Sequence, residues 1–348
     1  MVVFWQGGSL AYFDAVSARR RTLPVSMMPL LDVLGSWTSA AELHAANRGF
    51  GTRQAIGNLL RRMERLGLVE REGRNEPWPW AEWSPEAAFF HFATRDSDYP
   101  ADFLQHETAL QRKAQTTPQP APTKQVGGPE IPLPAASTGG ELAGALLARR
   151  TWRSLSGDAI KLGALGTLLG LTFGVQQRGH VTGQGDVVFK TSPSGGARHP
   201  IEAYVIANRV ESLAAAVYHY DAARHALVRV GAAITSNRLI ELLANQYYFG
   251  NCSAAVIMTA CVDRTMWRYP FARAYRSVLI EAGHLGQTFC VLATHLGLAP
   301  FTTIAFRDSE LERHLAIDGR AETALYVAGV GTRLAGAADR PGRIPGRT

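Results

Sequence analysis

Apolar residues recur at helical spacing in the first third of the chain. The stretch from Met27 to Leu34 is apolar, and Ser39-Ala-Ala-Glu42 has the form of a capping box that opens a second helix. A third helix begins after Thr52, which is placed to cap it. One face of this helix is apolar and the rest is basic, with Ile56, Leu59, Leu60, Met63 and Leu66 on the first and Arg53, Arg61, Arg62 and Arg65 on the second.

The third helix is expected to end at Gly67. The following Leu68-Val-Glu-Arg-Glu72 has the pattern of a strand, with a turn at Gly73. Three helices and a hairpin predict a winged-helix-like domain. Such a domain has three interpretations: it packs on the rest of the protein, it docks a peptide strand on its β-wing, or it binds DNA through its third helix. Basic residues on exposed helix faces are common without nucleic acid, so DNA is the least favoured partner.

Residues 111–140 form the clearest boundary in the sequence. The run from Gln115 to Thr123 is polar, rich in proline and free of aromatic residues, so it cannot bury enough apolar surface to order itself. We therefore predict four parts, which are a winged-helix-like domain at residues 1–110, a Pro-rich linker at 111–140, a larger domain at 141–335 and a flexible tail at 336–348.

Helical and strand patterns alternate from residue 141 onward. The predicted helices are 141–150, 161–174, 235–248, 271–296 and 309–315, and the predicted strands are 201–208, 253–262 and 324–330, with a hairpin near 217–230. This order is typical of an α+β domain in which a central sheet is flanked by helices.

Composition narrows the class of partner and the compartment. The chain has 36 Lys and Arg against 29 Asp and Glu, and its net charge of +7 favours anionic partners such as a phosphate-bearing cofactor. Its three cysteines, Cys252, Cys261 and Cys290, are too scattered for a disulfide framework or a zinc site. We therefore expect buried reduced thiols, no metal and a cytoplasmic protein. The most apolar window, 162–175, is too short to span a bilayer and is interrupted by glycines.

Two segments of the larger domain suit a phosphate and a flat ring. The first is Arg149-Arg-Thr-Trp-Arg153, in which several guanidiniums and a hydroxyl can hold a terminal phosphate. The second is the loop Thr191–Glu202, whose adjacent glycines let the backbone approach a flat ligand. The alternatives are a simple turn, and arginines that are solvated or paired with acidic side chains. No Gly-x-Gly-x-x-Gly or Walker lysine pattern is present, which argues against dinucleotide and nucleoside triphosphate sites.

Both segments resemble motifs of one enzyme family. Arg149-Arg-Thr-Trp-Arg-Ser-Leu155 is similar to the Arg-Arg-Ser-x-Arg-x-Phe signature of flavin-dependent nitroreductase-fold enzymes. Pro193-Ser-Gly-Gly-Ala-Arg-His-Pro-Ile-Glu202 resembles Pro-Ser-Ala-Gly-Ala-x-Tyr-Pro-x-Glu of the SagB-type dehydrogenase branch, which includes thiazole- and oxazole-forming peptide oxidases. Further segments match in the same order, at 83–96, 217–221, 267–269, 275–276, 281–287, 296–298 and 325–331.

The resemblance implies an FMN site at the interface of a homodimer. The residues it assigns to the FMN phosphate are Arg149, Thr151 and Arg153, with Arg150 assisting and Arg333 closing the cluster. Those it assigns to one face of the isoalloxazine are Pro193, Ser194, Gly195 and Gly196. Gln287 reaches the flavin or the partner subunit, whereas the glycines beside it in 283–287 are expected to permit tight helix packing.

The resemblance also implies a catalytic pair, Arg268 and Tyr269, and here the sequence departs from the family. The azole-forming oxidases carry Lys-Tyr at this position. A free tyrosine has a pKa of about 10 and needs a neighbouring cation to act as a base near neutrality. Arginine supplies that charge but cannot carry a proton. Either the chemistry proceeds through Tyr269 alone, or the substrate is not an azoline.

Two further departures concern the surroundings of the predicted flavin. His199 stands where the family has tyrosine, and it either acts as an acid or base or hydrogen-bonds a loop carbonyl. The segment 299–305 replaces a glycine-rich stretch and adds Phe301, which is expected to reshape the substrate pocket. His219, by contrast, is expected to be structural.

Together these features predict an FMN-dependent oxidoreductase that dehydrogenates a residue or azoline heterocycle in a ribosomally made peptide, alongside other peptide-modifying enzymes. One alternative is an NAD(P)H-dependent reductase of a small molecule or dehydro-residue. A second is a flavin-binding winged-helix regulator. The sequence leaves open the substrate, the direction of electron flow, and whether Arg268 abolishes azoline oxidation.

Overall fold

The computed structural model describes residues 2–6, 8–14, 19–46, 49, 51–65, 68–69, 71–72, 79–83, 85–97, 99, 103–117, 120–124, 131–182 and 185–336. They belong to two compact units, Met1–Arg95 with Tyr269–Tyr275, and Asp96–Arg268 with Arg276–Thr348. The expected helix end at Gly67, the turn at Gly73 and positions 337–348 of the expected tail lie outside the described residues.

The first unit contains the three predicted helices. They are α1 (Met28–Val33), α2 (Ala40–Ala46) and α3 (Arg53–Arg65), followed by α4 (Pro85–Thr94). The capping box is confirmed, because Ser39 N–H donates to Oε2 of Glu42 at 2.7 Å and Glu42 N–H donates to Oγ of Ser39 at 3.2 Å. The Thr52 hydroxyl accepts from Ala55 N–H at 3.2 Å and caps α3 as expected.

The small sheet of this unit lies elsewhere in the sequence than expected. It is an antiparallel meander of β1 (Val2–Gln6), β2 (Ser9–Asp14) and β3 (Arg19–Leu23) that precedes the helices. The predicted strand at 68–72 is wrong, since its described residues form bends and turns. Leu68 instead joins the core of the unit as a loop residue, packing with Tyr12, Leu43 and Ile56.

The second unit is built on a six-stranded antiparallel sheet with the order β10-β11-β9-β6-β7-β8. The strands are β6 (Ile201–Ala207), β7 (Ala216–Asp221), β8 (Ala226–Gly231), β9 (Ala254–Cys261), β10 (Ala299–Thr303) and β11 (Glu322–Gly331). A separate hairpin joins β4 (Gln177–Val181) to β5 (Gly185–Phe189). The helices are α5 (Phe103–Thr116), α6 (Glu141–Ala148), α7 (Leu162–Phe173), α8 (Ser236–Leu242), α9 (Val262–Met266), α10 (Tyr275–His295) and α11 (Asp308–Leu315).

Most predicted elements of this unit are present with bounds within a few residues, and the differences have local causes. Helix α8 ends at Leu242 rather than 248, because Ala244 and Asn245 adopt φ values of 52° and 59° that an α-helix cannot continue. The expected linker overlaps the end of α5, whereas 131–139 has no regular structure. No helix among the described residues is long and apolar enough to cross a membrane.

The expectation that Phe301 reshapes the substrate pocket is not met, because its side chain lies in the core. It is 1% exposed, packs edge-on against Tyr248 and Phe249, and lies opposite Gly329 in the β10–β11 register. A Cβ atom on Gly329 would lie 2.2 Å from the Phe301 ring, so the ring fills the space that the glycine leaves. The expectation for Phe301 is therefore replaced by a role in the core.

Candidate functional site

Helix α10 contacts the predicted glycine loop, and the charge of Arg149 acts on it. In the loop before β6, the Ser192 hydroxyl is hydrogen-bonded to the Thr288 hydroxyl at 3.0 Å, and Nδ1 of His199 lies 3.7 Å from Oε1 of Glu281. Burial raises the pKa of Cys290 to about 11, and the charge of Arg149 opposes that shift. The loop is therefore fixed to α10 through Glu281 and Thr288.

The loop between β5 and β6 has a strained backbone. Gly196, Ala197 and His199 have φ values of 61°, 53° and 45°, in the left-handed region. The Ser194 hydroxyl accepts from His199 N–H at 2.8 Å, and Nε of Arg198 donates to the Gly196 carbonyl at 3.0 Å. Only the glycine adopts this conformation without cost, so the surrounding contacts fix the loop in a specific shape.

The predicted phosphate cluster is assembled from both ends of the larger domain. Leu155 and Arg333 form an antiparallel bridge, and the Arg333 guanidinium lies over the Trp152 ring at 4.6 Å from its centroid. Arg153 lies over the Tyr248 ring at 5.7 Å. The bridge therefore brings Arg333 to the same segment as Arg149 and Arg153.

The residues of this cluster could hold a phosphate group. Within the described residues Arg149, Arg153 and Arg333 form no ion pair with a carboxylate. Nε1 of Trp152, beneath Arg333, is a buried donor without a protein partner. Three guanidiniums and an unsatisfied indole N–H match the charge and acceptor oxygens of a phosphate group.

Four further predicted cofactor residues lie in different environments. Nη1 of Arg150 donates to the carbonyls of Leu147 and Arg149 at 2.8 and 2.9 Å, so its guanidinium completes the C-terminus of α6. The side chains of Thr151 and Pro193 are exposed, and Gly195 is half-buried in the strained loop.

Gln287 is exposed on α10, beside two glycines with different surroundings. A Cβ atom on Gly286 would lie 2.4 Å from the Tyr326 ring, so this glycine permits close packing of α10 on β11 as expected. A Cβ atom on Gly283 would meet nothing within 4 Å. The surface around Gly283 and Gln287 is therefore open to a ligand or a second subunit.

A group of charged side chains at the start of β6 was not identified from the sequence. Oε2 of Glu202 is 2.9 Å from Nε2 of His219, and Oε1 accepts from Nη1 of Arg264 at 2.6 Å. The same Arg264 nitrogen donates to the His199 carbonyl at 2.9 Å, which ties this group to the loop. His219 and Arg264 are 17 and 62 residues from Glu202, so no local spacing could have indicated the group.

The charges of this group shift its pKa values. Burial alone would raise the pKa of Glu202, but the hydrogen bond from His219 and the charges of Arg264 and Lys190 lower it below the ordinary value. The hydrogen bond to Glu202 raises the pKa of His219. Burial lowers the pKa of Lys190, whose charge is favoured in turn by Glu202 and Glu281. The charges of the group therefore favour one another's ionised forms, whereas burial opposes them.

The predicted catalytic pair lies where the chain passes from one unit to the other. Arg268 belongs to the second unit, and its N–H donates to the Thr265 carbonyl at 3.2 Å after the end of α9. Its neighbour Trp267 is 60% exposed and carries the Arg198 guanidinium over its ring at 5.2 Å, next to the strained loop. Tyr269 belongs to the first unit.

The three cysteines are unpaired, with Cys252 and Cys290 buried and Cys261 half-buried. Burial raises the pKa of Cys252 and of Cys261 to about 12. Neither thiol is therefore activated as a nucleophile near neutral pH. In the part of the chain that the structure describes, no group of three or more His, Cys, Asp or Glu side chains could hold a metal ion.

Comparisons with known proteins agree with this geometry. Residues 146–332 match the model of the nitroreductase family. The chain is 32% identical over 178 residues to a protein named as a nitroreductase, MJ1384 of Methanocaldococcus jannaschii, covering 51% of this chain and 85% of that protein. It is also 32% identical over 145 residues to the trifolitoxin-processing protein TfxB of Rhizobium leguminosarum bv. trifolii, covering 40% of this chain but only 39% of the relative.

A solved structure extends the likeness to most of the chain. It is the Escherichia coli microcin synthetase McbBCD complex with truncated pro-MccB17 bound, one chain of which matches with a TM-score of 0.51 and 19% identity. The match covers 86% of this chain and 99% of that chain, so it includes the first unit. The predicted α+β nitroreductase-like fold, preceded by a small domain, is confirmed.

Proposed function

Because the chain belongs to the nitroreductase family of oxidoreductases, we propose that it is an FMN-dependent, SagB-type dehydrogenase of a ribosomally made peptide. Its substrate is a residue or an azoline ring of that peptide. The relative that processes trifolitoxin and the similar fold in the microcin synthetase complex support a peptide substrate. Two observations carry the proposal: Arg149, Arg153 and Arg333 form no ion pair with any carboxylate of the described residues, and the glycine loop has a strained backbone.

In this proposal the phosphate of FMN is held by Arg149, Arg153 and Arg333, with the Thr151 hydroxyl beside them. Pro193, Ser194, Gly195 and Gly196 supply one wall for the ring system. The hydrogen bond from His199 N–H to the Ser194 hydroxyl keeps that wall in place before any ligand arrives. Such pre-organisation lowers the entropy cost of binding a flat ligand. Arg150 contributes indirectly, because its guanidinium donates to backbone carbonyls at the end of α6, where the arginine segment begins.

Oxidation of an azoline ring removes a proton and a hydride from the substrate, and bound FMN would accept the hydride. Tyr269 is proposed as the base that takes the proton. Arg268, the residue before Tyr269 in the sequence, is proposed as the second member of the catalytic pair. Since arginine does not release its own proton, the proton passes from Tyr269 to solvent and not through Arg268.

The proposed dimer uses the open surface of α10. Along the part of α10 in the second unit, Leu279 and Ile280 are 37% and 58% exposed, and Gly283 and Gln287 follow on the same exposed side. Apolar side chains in such a position are suited to a partner subunit. A homodimer formed through residues 141–335 would then place Gln287 at the flavin of either subunit.

We propose further that the first unit binds the substrate peptide and that other peptide-modifying enzymes act on the same peptide. Strand β3 is paired on one side only within the described residues, so its other edge can accept an added strand. Its sequence, Arg19-Arg-Arg-Thr-Leu23, suits an acidic peptide segment.

The test is aerobic turnover of a synthetic peptide that carries one thiazoline, followed by mass spectrometry. We expect conversion to the thiazole with the loss of two hydrogens and no requirement for NAD(P)H. A reductase that consumes NADPH without peptide would replace this proposal. A protein that binds DNA and turns over neither substrate would support the regulator instead.

The Arg268→Lys variant tests the effect of arginine at the position where the azole-forming oxidases carry lysine. If the site oxidises an azoline with a weakened proton path, lysine should maintain or raise the rate at neutral pH. If Arg268 grips an anionic group of another substrate, lysine loses the bidentate contact and KM should rise. The second result would remove the azoline from the proposal.

A further inference from the structure

The segment Tyr269–Tyr275 is remote in sequence from residues 1–95 but forms one compact unit with them. Its first residue is held through its backbone. Nε1–H of Trp83 donates to the Tyr269 carbonyl oxygen at 2.9 Å, and Phe271 N–H donates to the same oxygen at 2.8 Å. Pro270 between them has a fixed φ. Two donors and a proline therefore fix the peptide plane that follows Tyr269.

The last residue of the segment is held through its side chain. The Tyr275 hydroxyl is 2.7 Å from Nδ1 of His91, and its ring lies 5.2 and 5.7 Å from the rings of Trp80 and Trp83. These four side chains, Trp80, Trp83, His91 and Tyr275, are each at most 5% exposed, and we call them the aromatic clamp. Burial lowers the pKa of His91 to about 3, so its bond to Tyr275 joins two neutral groups near neutral pH.

We propose that Trp83 is a positioning residue, which holds the proposed base Tyr269 through the hydrogen bond from its indole N–H to the Tyr269 carbonyl. The proposal rests on the proposed function, in which Tyr269 takes the substrate proton. The first unit then has a second task beside peptide binding, because it holds the residue on which the chemistry depends.

The physical argument is one of geometry. A general base must lie within hydrogen-bond reach of the proton it removes, and a displacement of about 1 Å can cost about 100-fold in rate. Tyr269 is the first residue of the segment that belongs to the first unit. The indole N–H is a donor with a single direction, and Trp83 is 2% exposed and cannot swing away. The hydrogen bond from Trp83 therefore fixes the position of the Tyr269 carbonyl.

The test compares Trp83→Phe with Tyr275→Phe in the full-length FMN-loaded protein. Trp83→Phe keeps an aromatic ring and removes the donor to Tyr269. Tyr275→Phe removes a hydrogen bond of the same clamp without touching Tyr269. With the thiazoline peptide, we expect Trp83→Phe to lower kcat by about 10- to 100-fold with KM unchanged. Tyr275→Phe should lower stability, because it removes the hydrogen-bond partner of buried His91, but its kcat should stay within about threefold of wild type.

The Tyr269→Phe background separates positioning from general damage. If Trp83 acts through Tyr269, Trp83→Phe should cause no further loss of kcat there. An equal loss in both backgrounds would show a merely structural role and overturn the proposal. Wild-type turnover by Tyr269→Phe alone would remove the base assignment, and the positioning role with it.

A substrate-independent measurement covers variants that lose activity for other reasons. With 3-fluorotyrosine at position 269 only, the fluorine NMR spectrum of the wild type should show one sharp resonance. Trp83→Phe should broaden or split it, and Tyr275→Phe should not. An unchanged spectrum in Trp83→Phe would show that the indole does not hold Tyr269, whatever becomes of the proposed function.

Discussion

The guanidinium carbon of Arg333 lies 4.6 Å from the ring centroid of Trp152, and the adjacent Leu155 pairs with Arg333 in an antiparallel bridge. A cation over an indole face is held by the ring quadrupole. Arg333, which follows β11, therefore lies beside the segment that begins with Arg149. This arrangement leads directly to the first prediction.

Replacing Arg149 or Arg153 by alanine should weaken FMN binding by about 10- to 100-fold. A hydrogen bond to a charged group contributes about 1.5–3 kcal/mol, and each 1.4 kcal/mol is tenfold in affinity. The dissociation constant can be measured by titrating the apoprotein with FMN and following the quenching of flavin fluorescence.

Arg150→Ala is the matched control for these two variants. Its guanidinium donates to two backbone carbonyls at the end of α6, so its loss should lower thermal stability more than FMN affinity. If all three variants lose affinity equally, the division between phosphate-binding and helix-capping arginines is wrong.

Gly196→Ala should destabilise the loop by about 1–2 kcal/mol, because an L residue at its φ of 61° is strained. FMN affinity should fall with it, since the loop is proposed to line the ring. Gly163→Ala on α7 is the control. Its Cβ meets nothing within 4 Å, and alanine in a helix gains up to about 1 kcal/mol over glycine. Urea unfolding with and without FMN measures both effects, and equal stability of the two variants would contradict the strained geometry.

The Glu202–His219 pair predicts a pH window of stability. The pKa of Glu202 is lowered from 4.5, so its contribution is present above that value and is lost as the pH falls through the folded pKa. The pKa of His219 is raised from 6.5, so its contribution is present below that value and is lost as the pH rises through the folded pKa. Both contributions coexist between pH 4.5 and 6.5.

His219→Gln should therefore lower the melting temperature most between those two values and less on either side. The difference between wild type and variant, measured at matched pH, removes the contribution of the other ionisable groups. A difference that does not change from pH 4 to pH 8, a range of about two units around the ordinary histidine pKa, would show that the pair does not stabilise through its charges.

The aromatic clamp predicts that the first unit is sensitive to acid. Burial lowers the pKa of His91 from 6.5 to about 3, so the neutral form is the one that the folded state holds. A lowered histidine pKa gives stability that is present above the unfolded value and is lost as the pH falls, at about 1.4 kcal/mol per pH unit. The buried indoles of Trp80 and Trp83 report this unfolding by fluorescence.

The glutamine side chain of His91→Gln takes up no proton below pH 6.5, so this variant should not lose stability there as the wild type does. The variant is expected to be less stable than the wild type at pH 7, because the bond to Tyr275 changes, but with a flatter pH profile below 6.5. Parallel profiles of the two proteins would contradict the assignment of a neutral buried imidazole.

Local signals explain which parts of the fold could be predicted. The capping box at Ser39 and Glu42 depends on residues three apart, and both bonds are present. The sheet of the first unit was missed because β1–β3 are short strands whose pairing depends on packing against helices that follow them. The position of Phe301 depends on Gly329 across the sheet, which sequence spacing does not indicate.

The same distinction between local signals and long-range packing applies to the candidate site. The two motifs at 149–153 and 193–202 could be found because each is contiguous in sequence. The functions of single residues within them could not, since Arg150 acts at a helix end whose position depends on packing. The hydrogen bond from Trp83 to the Tyr269 carbonyl joins residues 186 positions apart, so it can be seen only in the folded chain.

The most direct test of the account is an anaerobic titration of the purified flavoprotein with the thiazoline peptide, followed through the visible absorption of the bound flavin. The account predicts that the peptide bleaches the flavin stoichiometrically without NAD(P)H, that the thiazole form of the peptide does not, and that Tyr269→Phe slows the bleaching by about 10²–10⁴-fold. A flavin bleached by NADPH and unaffected by the thiazoline peptide would contradict it.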